Sequence, residues 1–406
     1  MNTGAKIIAV VTGTRADYGL LYWTLKALQD SSYFELRLLV GGMHLVEHYG
    51  KTINEIIADG FSIAATFDYL DAEATQDTPL SIVHATAKAT GLFGEYFDNN
   101  KPDLLLVLGD RFEALAAAQS ALLLKIPIAH IHGGEISEGA IDDVIRHCLT
   151  KMSCLHFATT DAHRRRVIQM GEQPETVINV GAPGLESLYR ENLMSLSALT
   201  EALTIDLSVP TLLLTYHPET LSNIAAEDQV DELIEALEQF PELQILATCA
   251  NADAGGVTIA KRFKNYIEQR PGHNLWCQSL GRYRYLSALQ YISAAVGNSS
   301  SGIIEVPSFY KPTVNIGRRQ KGRMASQTVL HCAADTQSII KTIKYALSVE
   351  FNRQLKNFEN PYGQGDTSEK IVLYLKQWFD CRALSAPNSL ISSASKLKFY
   401  DLPESS

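Results

Sequence analysis

The feature that most constrains the fold is a series of short, almost uninterrupted apolar runs that alternate with helical patterns. DLLLVLGD at 103–110 is the most apolar run, and FEALAAAQSALLLKI at 112–126 follows it with the composition of a helix. Strands that are apolar on both faces are typical of a parallel sheet covered by helices on both sides. The chain is therefore predicted to be α/β.

The alternation occurs in two series. The first predicts strands at 6–13, 35–42, 103–110, 127–134 and 154–160, and helices at 18–30, 112–126 and 141–152. After NVGAPGLESL at 179–188, the second predicts strands at 211–219, 243–253, 294–302 and 313–323, and helices at 228–239 and 335–349. Because 406 residues exceed one ordinary core, we predict two doubly wound domains. Ligands of such domains bind beyond the carboxyl ends of the strands, and a two-domain version places them in the cleft.

Charge and composition narrow the class of partner. The net charge of −10 argues against nucleic acid or an anionic membrane as the main partner. The six cysteines form no CxxC pair, which is typical of reduced cytosolic thiols. No apolar run is suited to a signal peptide or a membrane span, so we expect a cytoplasmic protein. RRQKGR at 318–323 is a basic cluster within this acidic chain and indicates an anionic substrate.

Two polar clusters follow predicted strands near the start of the chain. GTRADYG at 13–19 predicts either a phosphate contact or helix capping by Asp17. It does not match GxGxxG, so the dinucleotide fingerprint is absent. In GDRFEA at 109–114, Asp110 is either a capping carboxylate or a base on the floor of the cleft.

AHIHGGEISEGAIDDVIRH at 129–147 is the most crowded cluster. On a strand, His130 and His132 face the same side, and Glu135 follows near the strand end. The two histidines with a carboxylate offer the ligands of a metal site, although none of the longer metal motifs is present. The helix after them carries two pairs of ionisable residues four positions apart: Asp142 with Arg146, and Asp143 with His147. Each pair is either an ordinary helical pair or part of the site.

The second half carries groups suited to phosphate. His217 lies just past a predicted strand, and GNSSSG at 297–302 offers three hydroxyls before a predicted helix. That composition indicates either a phosphate cradle or an ordinary serine N-cap. Glu305 lies close enough in sequence to bind a ribose. We therefore expect a diphosphate-bearing ligand that is held mostly by the second domain and faces the carboxylates and histidines of the first.

Several of these motifs together resemble one family. They are GTRADYG, VLGDR, HIHGGE, IRHCLTKMS, YHPET, NADAG, GNSSSG, IGRRQKGR and FYDLPE, and they extend through nearly the whole chain. In these motifs the chain resembles the hydrolysing UDP-N-acetylglucosamine 2-epimerases, bacterial enzymes that start sialic-acid synthesis. The resemblance implies a GT-B architecture, with two Rossmann-like domains and the active site in the interdomain cleft. The implied boundaries are 1–185, 186–365, a helix crossing back at 366–380 and a tail at 381–406.

The resemblance also implies a reaction. UDP-N-acetylglucosamine and water give N-acetylmannosamine and UDP, by elimination to 2-acetamidoglucal and then hydration with inversion at carbon 2. A base must remove the carbon-2 proton, and donors must stabilise the leaving UDP. No cofactor and no metal are implied, and the expected assembly is a homodimer or homotetramer.

By resemblance, the catalytic candidates are Asp110, Glu135, Asp142, His132 and His217, the last at the diphosphate. The UDP-sugar-binding candidates are Arg15, Arg111, Asn251, Arg282, Ser299, Ser300, Ser301, Gly302, Glu305 and Arg319. Animal members carry a glutamate, thought to be catalytic, where this chain has His132. Either Glu135 or His132 must therefore take that role here.

Four alternatives stay open. The first is the same chemistry on UDP-2,4-diacetamido-2,4,6-trideoxyglucose, which feeds legionaminic-acid synthesis. The others are a GT-B glycosyltransferase that uses a UDP-sugar, a metal-dependent hydrolase that uses His130 and His132, and a non-catalytic UDP-sugar sensor.

Overall fold

A computed structural model describes residues 4–47, 50–70, 79–136, 141–217, 226–248, 256–270, 273–277, 280–384 and 399–402. The chain divides into two compact units. Unit 1 runs to Glu135, resumes at residue 140, ends at Glu186 and resumes again at Gly363, whereas Ser187–Tyr362 belongs to unit 2. Among the described helices, none combines the length and the apolar character that crossing a membrane requires.

Unit 1 is built on a seven-stranded parallel sheet with the order β3-β2-β1-β4-β5-β6-β7. Its strands are β1 (Lys6–Thr12), β2 (Phe34–Gly41), β3 (Ile63–Phe67), β4 (Leu104–Leu108), β5 (Ile128–Ile131), β6 (Leu155–Ala158) and β7 (Val177–Asn179). Its first helices are α1 (Arg15–Gln29), α2 (Ile53–Ala58), α3 (Pro79–Asn99), α4 (Phe112–Leu123), α5 (Ile141–Met152) and α6 (Asp161–Gln169). The strand order reverses between β1 and β4, which is the usual place for a ligand in such a sheet.

Unit 2 is built on a six-stranded parallel sheet with the order β10-β9-β8-β11-β12-β13. The strands are β8 (Thr211–Thr215), β9 (Gln244–Thr248), β10 (Leu275–Cys277), β11 (Ala294–Gly297), β12 (Thr313–Ile316) and β13 (Val329–Cys332). The helices from the junction onward are α7 (Glu186–Arg190), α8 (Leu196–Leu203), α9 (Ala226–Leu237), α10 (Gly256–Glu268), α11 (Gly281–Leu289), α12 (Ser301–Ile304), α13 (Thr336–Ala346) and α14 (Val349–Gln354). The reversal here lies between β8 and β11. The two parallel sheets with alternating helices confirm the predicted α/β fold class.

The last helix, α15 (Thr367–Leu384), belongs to unit 1 and packs against α1. Its buried residues Ile371, Leu375 and Phe379 share a core with β1 and α1. Its first turn is anchored by hydrogen bonds, since the Ser368 amide donates to Glu186 Oε2 over 2.9 Å. The core of unit 1 therefore includes residues from both ends of the chain.

Candidate active site

The polar clusters of unit 1 follow four neighbouring strands, β1, β4, β5 and β6. Parallel strands end at the same edge, so the sheet gathers groups that are far apart in sequence. The cluster after β5 is built around His132, whose φ of +70° places it in the left-handed region. The predicted strand face shared by His130 and His132 is therefore wrong, because β5 ends at Ile131 and the backbone turns at His132.

His132 and Glu135 form a buried pair. His132 Nδ1 lies 2.9 Å from Glu135 Oε1. Glu135 is 2% exposed and His132 is 9% exposed. The turn between them requires Gly134, whose φ is +81° and where a Cβ would lie 2.4 Å from the carbonyl oxygen of His163. An ionisable pair with this burial is suited to taking and returning a proton.

Asp110 lies just after β4 and is bound by Arg146 of α5. Its carboxylate accepts a hydrogen bond from Nη2 of Arg146, a residue that is 2% exposed. Arg146 Nη1 also donates to Asp143 over 3.3 Å, and His147 Nε2 lies 3.5 Å from Asp143. The structure thus shows the predicted Asp143–His147 pair. Asp142 lies in the exposed first turn of the same helix.

His130 supports the turn that carries Asp110. Its Nε2 lies 2.7 Å from the carbonyl oxygen of Gly109, and its Nδ1 lies 3.3 Å from the Thr150 hydroxyl. Burial lowers the pKa of His130 to about 3, so its ring is neutral at physiological pH. Both ring nitrogens have hydrogen-bond partners, which counts against His130 as a metal ligand.

The segment after β1 forms a helix cap. Asp17 accepts from the Gly13 and Thr14 amides over 2.9 and 2.8 Å, which makes a capping box with Thr14. Helix capping by Asp17 is therefore confirmed, and α1 begins at Arg15 rather than at residue 18. Arg15 is half-exposed, and its Nε lies 3.2 Å from Glu55.

Arg111 lies beside Asp110 and is paired with a carboxylate. Its Nε donates to Glu113 Oε1 over 2.7 Å, while 43% of the Arg111 side chain is exposed. Burial raises the pKa of Glu113, and the charge of Arg111 opposes that shift. A Cβ at Gly13 would lie 2.5 Å from Glu113 Oε1, so the ends of β1 and β4 lie close together. Arg111, fixed by its ion pair with Glu113, can therefore place a positive charge at this edge of the sheet.

In unit 2, Asn298 fixes the backbone at His217. The His217 amide donates to Asn298 Oδ1 over 2.7 Å, and Asn298 Nδ2 donates to the His217 carbonyl over 2.8 Å. Asn298 is fully buried. Burial, together with the charge of Arg319, lowers the pKa of His217 to about 3. A neutral ring at this position can donate a hydrogen bond to a phosphate oxygen without carrying charge.

Gly297 allows this close approach between β11 and β8. Its φ is +134°, and a Cβ there would lie 1.9 Å from the carbonyl oxygen of Thr215. No other residue fits this position without moving a strand, because that neighbour is backbone. The first glycine of GNSSSG is thus required by the packing of the strands.

Arg319 and Gln320, which follow β12, bind the backbone at Asn298. Arg319 Nη1 and Gln320 Nε2 donate to the carbonyl oxygen of Asn298 over 3.0 and 2.8 Å. The ends of β8, β11 and β12 are neighbours in the sheet, so His217, the serine loop and Arg319 are brought together. These groups combine a fixed cation with hydroxyl donors, which is a composition suited to an anion.

The serine loop leads into the short helix α12. Tyr285 donates from its hydroxyl to Ser301 Oγ over 2.7 Å. Burial raises the pKa of Glu305, and a hydrogen bond from Ser301 opposes that shift. Ser300 lies at the helix start without a side-chain capping bond, so the N-cap interpretation of that serine is wrong. Ser299 and Gly302 lie in the same loop and helix, and the Gly302 carbonyl accepts from Thr313 over 2.7 Å.

Of the two remaining candidates, the structure describes Arg282 but not Asn251. Arg282, in the first turn of α11, donates to the Ser187 hydroxyl and lies 2.5 Å from Glu191. Its predicted role in binding the UDP-sugar stays a prediction. Asn251 lies outside the described residues, as do positions 218–225 after His217.

Sequence reasoning missed several residues of these clusters. Asn298 lies inside the GNSSSG motif, and Thr159 lies inside the strand predicted at 154–160. The rule that polar residues at strand ends form the site also applies to both. Gln320 likewise lies inside the RRQKGR cluster, whereas Tyr285 carried no comparable signal, because its contact depends on tertiary packing.

Comparison with known proteins gives a consistent result. A protein-family profile described as UDP-N-acetylglucosamine 2-epimerase matches residues 26–376. The UDP-N,N'-diacetylbacillosamine 2-epimerase (hydrolyzing) of Legionella pneumophila is 38% identical over 91% of this chain and 95% of its own. The polysialic acid biosynthesis protein P7 of Escherichia coli is 36% identical over 98% of each chain. The crystal structure of UDP-GlcNAc 2-epimerase from Neisseria meningitidis bound to UDP-GlcNAc superposes with a TM-score of 0.75 at 18% identity, covering 92% of this chain and 100% of that one. That last likeness supports the GT-B type of fold.

Proposed function

Because the chain belongs to the UDP-N-acetylglucosamine 2-epimerase family, we propose that it is a hydrolysing epimerase that converts UDP-N-acetylglucosamine and water to N-acetylmannosamine and UDP. The observation that carries this proposal is the buried His132–Glu135 pair at the carboxyl edge of the first sheet. An epimerase must move a proton on carbon 2, and this pair lies at the sheet edge where ligands of such folds bind. The polysialic-acid relative supports a product that feeds sialic-acid synthesis.

The first step is an elimination. The His132–Glu135 pair takes the proton from carbon 2, and the electron pair of that C–H bond forms the C1=C2 double bond. The bond from C1 to the diphosphate oxygen breaks, and UDP leaves with its electron pair. The product of this step is 2-acetamidoglucal.

The leaving UDP needs stabilisation as its charge grows. Arg319, the serine loop at 299–301 and the neutral ring of His217 supply a cation and hydrogen-bond donors for the diphosphate. Glu305 accepts from the ribose hydroxyls in this proposal. Arg111, held by Glu113, supplies a second cation from unit 1.

The second step is a hydration. Water adds its hydroxyl to C1 and a proton adds to C2 on the face opposite to the first, which inverts that carbon. A different acid must deliver this proton, because the first base lies on the other face. Asp110, held by Arg146, and Asp142 are the candidates for that acid and for the base that directs the water.

Proton NMR in heavy water tests the reaction directly. We expect purified protein with UDP-N-acetylglucosamine to give free UDP and N-acetylmannosamine that carries deuterium at carbon 2. UDP-N-acetylmannosamine as the product would instead show a non-hydrolysing epimerase. Transfer of the sugar only when an acceptor is added would show a glycosyltransferase.

A second candidate substrate is favoured by the relatives. The Legionella protein and a Campylobacter jejuni protein, 35% identical over 80% of this chain, are both named as hydrolysing epimerases of diacetylbacillosamine nucleotides. That sugar carries an acetamido group at carbon 4 and no hydroxyl at carbon 6. The two substrates undergo the same chemistry, so only the pocket around carbons 4 and 6 distinguishes them.

Competition between the two nucleotides decides the substrate. Equal concentrations of UDP-N-acetylglucosamine and UDP-N,N'-diacetylbacillosamine are mixed with the enzyme, and both free sugars are followed by NMR. The ratio of the initial rates gives the ratio of kcat/KM. A ratio above one for the diacetamido sugar would replace the first substrate by the second and leave the mechanism unchanged.

A further inference from the structure

A chain of buried hydrogen bonds extends behind Glu135. Thr159 Oγ1 lies 3.0 Å from Glu135 Oε1 and 2.7 Å from His163 Nδ1. Glu135 Oε1 also lies 2.9 Å from His132 Nδ1. Thr159 is fully buried and His163 is 2% exposed. Four side chains, from the turn after β5, the end of β6 and α6, are thus joined in one line.

The number of available protons fixes the direction of each bond. An ionised carboxylate has no proton, so both of its neighbours donate to Glu135. The Thr159 hydroxyl has one proton and uses it on Glu135, so it must accept from the Nδ1–H of His163. His132 likewise donates its Nδ1–H to Glu135. A His132 ring that carries only this one proton therefore has its lone pair on Nε2.

That Nε2 atom is the free end of the chain. It is buried, and it has no hydrogen-bond partner among the described residues. A buried imidazole nitrogen with a lone pair and no partner is costly unless a ligand uses it. The line of hydrogen bonds thus ends in an atom that can accept a proton.

The backbone, rather than the pair itself, holds the chain in place. The His132 amide donates to the carbonyl of Phe157 over 3.1 Å. The start of α6 lies against the turn, because a Cβ at Gly134 would lie 2.4 Å from the His163 carbonyl oxygen, and Arg166 donates to the Gly134 carbonyl. Thr160 caps the helix by accepting from the His163 amide over 3.2 Å. Removing the Thr159 hydroxyl should therefore break the line without moving these segments.

We propose that Thr159 and His163 are positioning residues, which orient Glu135 so that His132 keeps its proton on Nδ1 and takes the carbon-2 proton at Nε2. This inference rests on the proposed function, and it deepens it by assigning the proton-accepting atom. In that step the C2–H bond breaks, an Nε2–H bond forms, and the C–H electron pair becomes the C1=C2 bond as UDP leaves. Glu135 stabilises the resulting imidazolium, while Thr159 and His163 touch neither substrate nor product.

The kinetic test uses Thr159→Val and Thr159→Ser. The valine keeps the shape and lacks the hydroxyl, whereas the serine keeps the hydroxyl. We expect Thr159→Val to lower kcat roughly 10- to 100-fold with KM and UDP affinity unchanged, because a hydrogen bond to a charged group is lost. Thr159→Ser should stay within about threefold of the wild type. Unchanged kcat in Thr159→Val would overturn the proposal.

The matched control is Thr336→Val in unit 2. The Thr336 hydroxyl also donates to a glutamate, Glu232, and Thr336 is also buried. This control should lose stability without losing kcat. An equal loss of kcat in both variants would mean that the effect on Thr159 is merely structural, which would also overturn the proposal.

A second pair of variants keeps the test independent of the folding of Thr159→Val. His163→Asn places an amide donor near the position of Nδ1, and His163→Leu removes the donor. We expect His163→Asn to retain most of kcat and His163→Leu to lose it to about the same extent as Thr159→Val. Equal rates in the two variants would count against His163 as a positioning residue.

The ring tautomer of His132 separates this inference from the proposed function. Nitrogen-15 shifts of the His132 imidazole should show a protonated Nδ1 and an unprotonated Nε2 in the wild type, and a mixture in Thr159→Val. If the wild type turns over neither UDP-sugar, the proposed function fails while the tautomer still tests the hydrogen-bond chain. A protonated Nε2 in the wild type would overturn the inference even in an active enzyme.

Discussion

At the carboxyl edge of the first sheet, ionisable side chains are held by other ionisable side chains. Glu135 is paired with His132, Asp110 with Arg146, and Glu113 with Arg111. At the carboxyl edge of the second sheet, one neutral amide, Asn298, fixes the backbone of two neighbouring loops. The ionisable pairs of the first sheet can exchange protons, whereas the Asn298 amide of the second sheet only fixes the backbone at His217.

In the proposed mechanism the two units have separate tasks. A charge that must be gained and lost needs a partner that responds, and a buried carboxylate beside an imidazole provides one. A leaving diphosphate gains negative charge as its bond to C1 breaks, so its site needs fixed cations and hydrogen-bond donors instead. Substitutions in unit 1 should therefore change kcat, and substitutions in unit 2 should change the affinity for UDP.

The largest expected effect comes from Glu135→Gln. Loss of the carboxylate should lower kcat on the order of 10²- to 10⁴-fold, the usual contribution of a general acid or base. UDP affinity, measured by calorimetry, should stay within about twofold. A matched control is Glu172→Gln, which alters another buried pair in unit 1, with His156 at 3.2 Å, and should keep kcat. Weaker UDP binding in Glu135→Gln would contradict the division of tasks.

The next effect is expected from Arg319→Ala. Losing a cation and its hydrogen bonds should weaken UDP binding about 10- to 100-fold. Arg262→Ala is the control, because that arginine pairs with Asp231 at 2.6 Å on the surface of the same unit. Surface pairs contribute about 0–1 kcal/mol, so the control should bind UDP normally. Unchanged UDP affinity in Arg319→Ala would break the comparison between the units.

Asn298→Ala should affect both stability and binding. It removes the two hydrogen bonds of Asn298 to the amide and carbonyl of His217, so unfolding should require about 1–3 kcal/mol less free energy, measured by urea denaturation. Asn274→Ala is the control, because Asn274 also accepts from a buried amide, that of Ile245, over 3.0 Å. Both variants should lose stability, and only Asn298→Ala should lose UDP affinity. An equal loss of UDP affinity in both variants would show that Asn298 has no special role in binding UDP.

The smallest expected effect is on the pH dependence of stability, where the two units should behave alike. His130 and His217 both have pKa values near 3 in the folded protein, below the ordinary 6.5. Between these values the unfolded chain binds more protons, so stability falls as the pH drops from about 6.5 towards 3. Each histidine should contribute a slope of about 1.4 kcal/mol per pH unit. Urea denaturation at pH 7 and pH 5 should show a smaller difference in His130→Gln and in His217→Gln, and an unchanged difference would disprove the assignment.

The sequence allowed the fold to be predicted well where one element determines its own pattern. Helix α5 has the predicted bounds, since its apolar and charged residues follow one helical period. The start of α1 was predicted three residues late, because a capping box is a local arrangement that apolar spacing does not show. The nine predicted strands lie where strands occur but extend too far, as with β5, where the turn at His132 ends the strand. The strands β3, β7, β10 and β13 were not predicted.

The candidate site was predictable by position and not by contact. Polar residues after strands fall at one edge of a parallel sheet, so Asp110, Glu135, His217 and the serines were found. The contacts among them depend on which strands are neighbours. That is why nothing in the sequence joins Thr159 to Glu135, or Asn298 to His217, which are 24 and 81 residues apart.

The return of α15 to unit 1 affects how this chain folds as it is made. Helix α15 supplies Ile371, Leu375 and Phe379 to the core of unit 1, after the whole of unit 2 has been synthesised. At roughly 5–20 residues per second, a ribosome leaves that core incomplete for on the order of ten seconds or more. Nearly all of unit 2 is one segment, Ser187–Tyr362, so it can finish folding while the first part of the chain still exposes the apolar surface of α1. The emerging protein is therefore most vulnerable to aggregation in the part that was made first.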